Sequence, residues 1–179
     1  MEDLLLGGHY ASVVATSAFG AAERQGGIDG KTYLTAVIVG YEISTRISSA
    51  WNPKELNAKL YATSMYGPFG AAAAVGRILG LDSETIARSF HLAGTQSAGL
   101  YNLYYPTKRF NVGRAAQSGV MSALLAEKGF MAMTDILESE WKGFCMSYSD
   151  SYELHKITEG LGKFYNIEKI SHKMCFVDY

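Results

Sequence analysis

Tyr101-Asn102-Leu103-Tyr104-Tyr105-Pro106-Thr107-Lys108-Arg109-Phe110-Asn111-Val112-Gly113-Arg114-Ala115-Ala116 is the stretch from which the rest of the chain is read. It opens as an aromatic loop closed by a proline, passes through two cations, and turns into a run of helical period. Val112, Ala115, Ala116, Gly119, Val120, Ala123 and Leu124 recur at steps of three and four, which lays them along one face. A helix over residues 112–126 follows, with Gly129 placed to end it in a left-handed cap. Lys108, Arg109, Asn111 and Arg114 thus crowd the entrance of a helix otherwise built for burial. Cations beside the N–H groups of a helix start favour an anionic ligand. A solvated loop rich in Lys and Arg is the plain alternative.

Working outward, the same period appears upstream. Residues 12–24 alternate small and apolar side chains until Gln25-Gly26-Gly27 stops them. Asp29 is placed to cap a second helix whose buried stripe is Tyr33, Ala36, Val37, Gly40, Tyr41, Ser44 and Ile47. Trp51-Asn52-Pro53 breaks that pattern. Gly67-Pro68 reads as the start of a third helix over residues 69–79, with proline in its first turn and four consecutive alanines after it. Gly80 closes it, and Asp82 caps a fourth helix through Ile86, Phe90 and Ala93. Downstream the pattern weakens. Short helices are expected over residues 133–138 and 153–164, the second interrupted by Gly160 and Gly162. Residues 167–171 alternate like a strand, with no partner strand upstream. The fold class is all-α.

Composition narrows the function classes. The chain of 179 residues is 48% hydrophobic and 18% charged, enough for a core and no case for disorder. A formal charge of −1 argues against a protein defined by nucleic-acid phosphates. Cys145 and Cys175 lie far apart with no metal-ligand spacing, so they read as reduced thiols rather than as a metal site. The uncharged windows 4–22, 60–76 and 89–107 each contain polar residues, and none is a continuous apolar span. Met1-Glu2-Asp3 has the wrong charge for a signal peptide, so a soluble, cytoplasmic chain with no membrane partner is expected.

The order of motifs resembles the MmgE/PrpD family, which includes 2-methylcitrate dehydratase and cis-aconitate decarboxylase. The resemblance rests on Gly7-Gly8-His9-Tyr10-Ala11-Ser12, Gly40-Tyr41-Glu42, Gly67-Pro68-Phe69-Gly70, Gly80-Leu81-Asp82, Leu92-Ala93-Gly94-Thr95-Gln96 and Lys108-Arg109-Phe110-Asn111-Val112-Gly113-Arg114. It implies a helical domain over residues 1–165, lacking its first helices, with residues 166–179 beginning an α/β lid that is cut off. It implies a cofactor-independent lyase or isomerase of small di- and tricarboxylates, like 2-methylcitrate dehydratase. Such a site needs a base for a proton α to a carboxylate, an acid for the leaving group and cations for the carboxylates.

Carried over residue by residue, His9 is the implied base or acid, Asp3 the acidic residue that orients it, and Lys108 a carboxylate holder or acid. Tyr61 takes a catalytic position where the family commonly has histidine. Thr63, Arg109, Asn111 and Lys173 are the implied substrate-binding residues, and Asn111 again replaces a common histidine. Two missing imidazoles remove groups that titrate near neutrality, and a tyrosine with a pKa near ~10 does not replace them. Either the substrate differs from those two acids or catalysis is impaired, which leaves a binding or assembly subunit as the alternative. Arg114 reads as structural, bonded to a loop carbonyl. The helices are apolar around much of their circumference, so these residues are expected to be a fragment, completed by a homodimer partner or a second polypeptide.

Overall fold

The computed structural model describes residues 2–51, 60–101 and 105–173. Expectations that fall on residues 52–59, on residues 102–104 of the aromatic loop and on Cys175 lie outside the described residues. The element order is β1 (Glu2–Leu4), α1 (Ala11–Gln25), α2 (Gly30–Ser49), α3 (Ala62–Leu79), α4 (Ser83–Gln96), α5 (Tyr105–Glu127), α6 (Phe144–Tyr148), α7 (His155–Thr158), a 3-10 turn at Asn166–Lys169, and β2 (Ser171–Lys173).

α3 is the axis. All of its residues from Ala62 to Gly76, and Ile78, are buried, and α1, α2, α4 and α5 pack around it. Small residues let those neighbours come close. A Cβ on Gly70 would strike Ser44 of α2, and one on Gly119 of α5 would strike Ala71 and the Pro68 carbonyl. Gly40 of α2 is equally tight against Val14 and Gly70. Helices in such contact interlock through backbone rather than through long side chains.

The contacts also fix direction. Gly67 of α3 faces Val13 of α1 and Ala115 of α5, with an added Cβ 3.2 and 3.6 Å from them. One turn earlier the His9 N–H donates to Thr63 Oγ1 at 2.9 Å, and one turn later Gly119 lies over Ala71. Hence α1, α3 and α5 run parallel, with their N-termini at one end of the bundle. α2 and α4 run the other way: Gly40 meets Ala74 while Ser44 Oγ donates to the Tyr66 carbonyl at 3.2 Å, and Ile86 meets Gly76 while Gly94 meets Phe69.

The helix ends follow the sequence with two corrections. Asp29 accepts from the Thr32 N–H at 3.0 Å, Asp82 accepts from the Thr85 N–H at 2.8 Å, and Gly80 and Gly129 are left-handed with φ of 68° and 80°. α3, however, starts at Ala62, so Pro68 sits inside the helix rather than in its first turn. The surrounding helices supply the packing that carries a proline there. α5 starts at Tyr105, so Lys108 and Arg109 belong to its first turns rather than to a preceding loop.

The C-terminal part departs further. Residues 133–138 form turns, and of residues 153–164 only His155–Thr158 is helical. The expected strand is displaced: Asn166–Lys169 is a 3-10 turn, and the strand is Ser171–Lys173. It does have an upstream partner, since β2 pairs antiparallel with β1, Asp3 opposite His172. The displacement has a cause. The Glu42–Arg46 pair on α2 is buried, Arg46 Nε donating to Glu42 Oε2 at 3.0 Å. Arg46 Nη1 donates to the Glu159 carbonyl at 2.8 Å and Nη2 to the Phe164 carbonyl at 3.1 Å. Glu42 Oε1 accepts from the Ile167 N–H at 3.1 Å, and Asn166 donates to Thr45 Oγ1 at 3.3 Å. These bonds hold residues 159–167 against α2 in a conformation that alternation alone did not reveal.

Candidate active site

The site begins with a tight turn. Leu5 and Gly8 exchange N–H to carbonyl bonds at 3.0 Å, around Leu6 and Gly7 with φ of 48° and 78°. Two successive residues in the left-handed region make a hairpin of the kind that reverses a chain in two residues, and glycine is the natural occupant of the second. Gly8 serves a different need, because any Cβ there would overlap the Tyr10 ring. The turn brings His9 back over β1 and delivers the chain into α1.

His9 is buried and held on both sides of its Cα. Its N–H is bonded to Thr63, as described, and its Nδ1 makes a short hydrogen bond with the backbone carbonyl of Asp3. A carbonyl only accepts, so Nδ1 is the donor, and the neutral ring then carries its lone pair at Nε2. The Asp3 carboxylate is occupied elsewhere. Its Oδ2 accepts from the Tyr10 and Ala11 N–H groups at 3.0 and 3.1 Å, capping α1, and from Tyr41 Oη at 2.9 Å. Asp3 thus touches His9 through main chain rather than through its acid. Burial and the Asp3 carboxylate both push the Tyr41 phenol well above its ordinary range, so it stays a donor. Tyr10, wholly buried, is raised chiefly by burial as well and packs edge-on against Tyr41 with ring centroids 6.4 Å apart.

The other sequence-predicted residues lie at the same end of the bundle. Tyr61 occupies the N-cap position of α3 without a side-chain cap bond, is buried, and packs edge-on against Tyr101 at 6.5 Å while its N–H donates to the Gly99 carbonyl. Thr63 is fully buried in the first turn of α3. The register of α5 against α3 puts Asn111 level with Thr63. Lys108, half-buried, precedes Val112 and Ala115 by one and two turns on the face that packs against Val13. Arg109 is exposed beside it. Lys173 pairs by its backbone with Glu2 in the small sheet. Arg114 bonds to Gln117 Oε1 at 2.6 Å on its own helix rather than to a loop carbonyl.

This end of the molecule gathers three parallel helix N-termini, that of α1 already capped by the Asp3 carboxylate, with Lys108 and Arg109 in the first turns of α5. His9, held by Thr63 and by the Asp3 carbonyl, stands at the same end. Among the described residues no group of His, Cys, Asp and Glu is arranged to hold a metal, and no helix is long and apolar enough to cross a membrane. Sequence reading did not single out Tyr41 as a site residue, nor the Glu42–Arg46 pair. Tyr41 and Glu42 both stand in Gly40-Tyr41-Glu42, but their partners lie 38 and 125 residues away.

The chain is 32% identical over 93% of its length to cis-aconitate decarboxylase of Aspergillus terreus, of which it covers 36%. It is 29% identical over 93% to the cis-aconitate decarboxylase-like protein oryM of Aspergillus oryzae, of which it covers 38%. Human cis-aconitate decarboxylase is 29% identical over 76% of the chain, with 29% of the human protein covered. The chain therefore spans little more than a third of the two Aspergillus proteins and less than a third of the human one. The MmgE/PrpD N-terminal domain matches residues 2–156, and the chain belongs to the MmgE/PrpD family.

Proposed function

We propose that this chain carries the helical half of a cofactor-independent lyase site for small di- or tricarboxylates. The observation that supports the reading best is the assembly of His9, Thr63 and the cations of α5 at the shared N-terminal end of α1, α3 and α5. Lys108, Arg109 and the helix ends hold the carboxylates, with Asn111 and Thr63 beside them. His9 gives or takes a proton through Nε2 at the carbon next to a carboxylate. Whether that carbon loses a proton, as in a dehydration, or CO2, as in the decarboxylation for which the relatives are named, the electron pair left behind is drawn toward the cation-held carboxylate. In the first case it then expels the neighbouring hydroxyl, which leaves as water on taking a proton, and in the second it takes up a proton in place of CO2. Lyase chemistry is what the family relatives suggest, and substrate choice within the class is left to the assay.

One observation favours a second reading, a binding or assembly subunit without turnover. Tyr61 is buried against Tyr101, so the place of a common family histidine holds a side chain that does not exchange protons near neutrality. A panel of tri- and dicarboxylates separates the two, followed by C=C absorbance and CO2 release and, in parallel, by NMR titration. Lys108→Met is expected to weaken carboxylate binding by ~1.5–3 kcal/mol, the scale of a hydrogen bond to a charged group, with a smaller loss in folding stability. Equal losses in both make Lys108 a structural residue. Binding without turnover selects the second reading.

A further inference from the structure

We infer that Tyr41 is a positioning residue for His9 and that it acts through Asp3. The catalytic meaning rests on the reading of His9 as a proton-transfer group; the geometry does not. Tyr41 lies on α2, is 4% exposed, and donates to Asp3 Oδ2 at 2.9 Å. The same oxygen receives the Tyr10 and Ala11 N–H groups, so the carboxylate holds Asp3 to the start of α1 by two bonds and to α2 by a third. What Asp3 offers to His9 is its carbonyl, which meets Nδ1. β2 fixes the other side of Asp3 by pairing it with His172. The carbonyl is thus set from two sides, by a strand across its backbone and by Tyr41 at the end of its side chain.

The consequence lies in the tautomer. Imidazole in water favours hydrogen on Nε2, whereas a carbonyl fixed against Nδ1 demands it there and turns Nε2 into the basic atom. Tyr41 itself has little freedom. Its ring is packed against Tyr10, whose own ring fills the space that Gly8 leaves. A residue that served only to cap α1 would leave the His9 tautomer unchanged when lost. A positioning residue would not.

Tyr41→Phe keeps the ring and removes the donor. Nitrogen-resolved NMR of the histidine rings in the 179-residue chain is expected to show His9 with hydrogen on Nδ1 in the wild type. The variant should show a mixture dominated by Nε2–H, with cooperative unfolding retained. Where the protein turns over, kcat should fall roughly 10- to 100-fold with KM within about twofold, the loss typical of an orienting partner. Hydrogen on Nε2 in the wild type overturns the inference, and so does an unchanged tautomer in the variant. Should Tyr41→Phe fail to fold, Asp3→Asn, which weakens the bond at nearly constant size, must shift the tautomer the same way or the inference falls. A wild type that has the Nδ1–H ring and loses it in the variant, yet turns over no acid, upholds the positioning and sinks the lyase reading alone.

Discussion

Arg46 is among the most thoroughly bonded side chains described in this protein, and it is nearly out of reach of water. Its guanidinium is 3% exposed and spends its donors on Glu42 and on carbonyls of the C-terminal segment, with the Phe164 ring 5.2 Å from its centre. A buried pair of this kind is weak as a net source of stability but costly to break by half, because the remaining charge stays buried alone. Arg46→Ala is therefore expected to lose ~3–5 kcal/mol in urea unfolding. Arg46→Met together with Glu42→Leu should lose less than Arg46→Met alone, since no charge is orphaned. None of this was legible in the sequence. Arg46 and Glu42 sit one turn apart and look like an ordinary exposed pair, while their other partners are more than a hundred residues on. His9 and Thr63 were found through the family motif, yet their direct bond has no local signal either.

At the scale of elements, glycine in a helix has two opposite meanings here. Gly70 and Gly119 stand where a Cβ would meet backbone or side chain of the next helix. Gly20, in α1, has nothing within 4 Å of such an atom. Gly70→Ala should force α2 and α3 apart and cost ~1–3 kcal/mol or more, and Gly20→Ala should stabilise by ~0.5–1 kcal/mol through helix propensity. Thermal unfolding of the two variants checks the sign of each. The helices themselves were readable because caps and period agree: Asp29, Asp82, Gly80 and Gly129 all stand where the structure uses them. The start of α3 was not, because Gly67-Pro68 carries a strong local start signal that tertiary packing overrides. The 3-10 turn at Asn166–Lys169 was missed for the same reason, its conformation being set by Glu42 and Thr45 rather than by its own alternation.

For the whole molecule, the buried ionisable groups set an alkaline limit. Burial pushes the Cys145 thiol up to about 12 from 9.0 and raises the phenols of Tyr10, Tyr41 and Tyr66 above their ordinary 10.0. The folded chain therefore holds protons that the unfolded chain gives up. Stability from these groups is complete below the unfolded values and is lost as pH rises toward the folded ones. Urea midpoints should stay level from neutral pH to about 9 and fall above it, with ionisation of Tyr10, Tyr41 and Tyr66 appearing only on unfolding. Ionisation of those three phenols at constant structure, read from residue-resolved NMR of the tyrosine rings, would contradict the burial. Apolar side chains such as Phe19, Leu34 and Trp141 remain exposed at 55%, 60% and 80%.

β1 and β2 are three residues each, and they stand at opposite ends of the sequence. On a ribosome, Asp3 and His9 emerge well before the strand that braces them. Closing so long a loop adds little free energy per doubling of length, about 0.6 kcal/mol, but it has to wait for both ends to exist. The helices around α3 form from contacts nearer in sequence and owe nothing to that delay. The end of the bundle that holds His9 is then closed after those helices have formed, and a nascent chain halted before Ser171 would carry its histidine without the strand that pairs with Asp3.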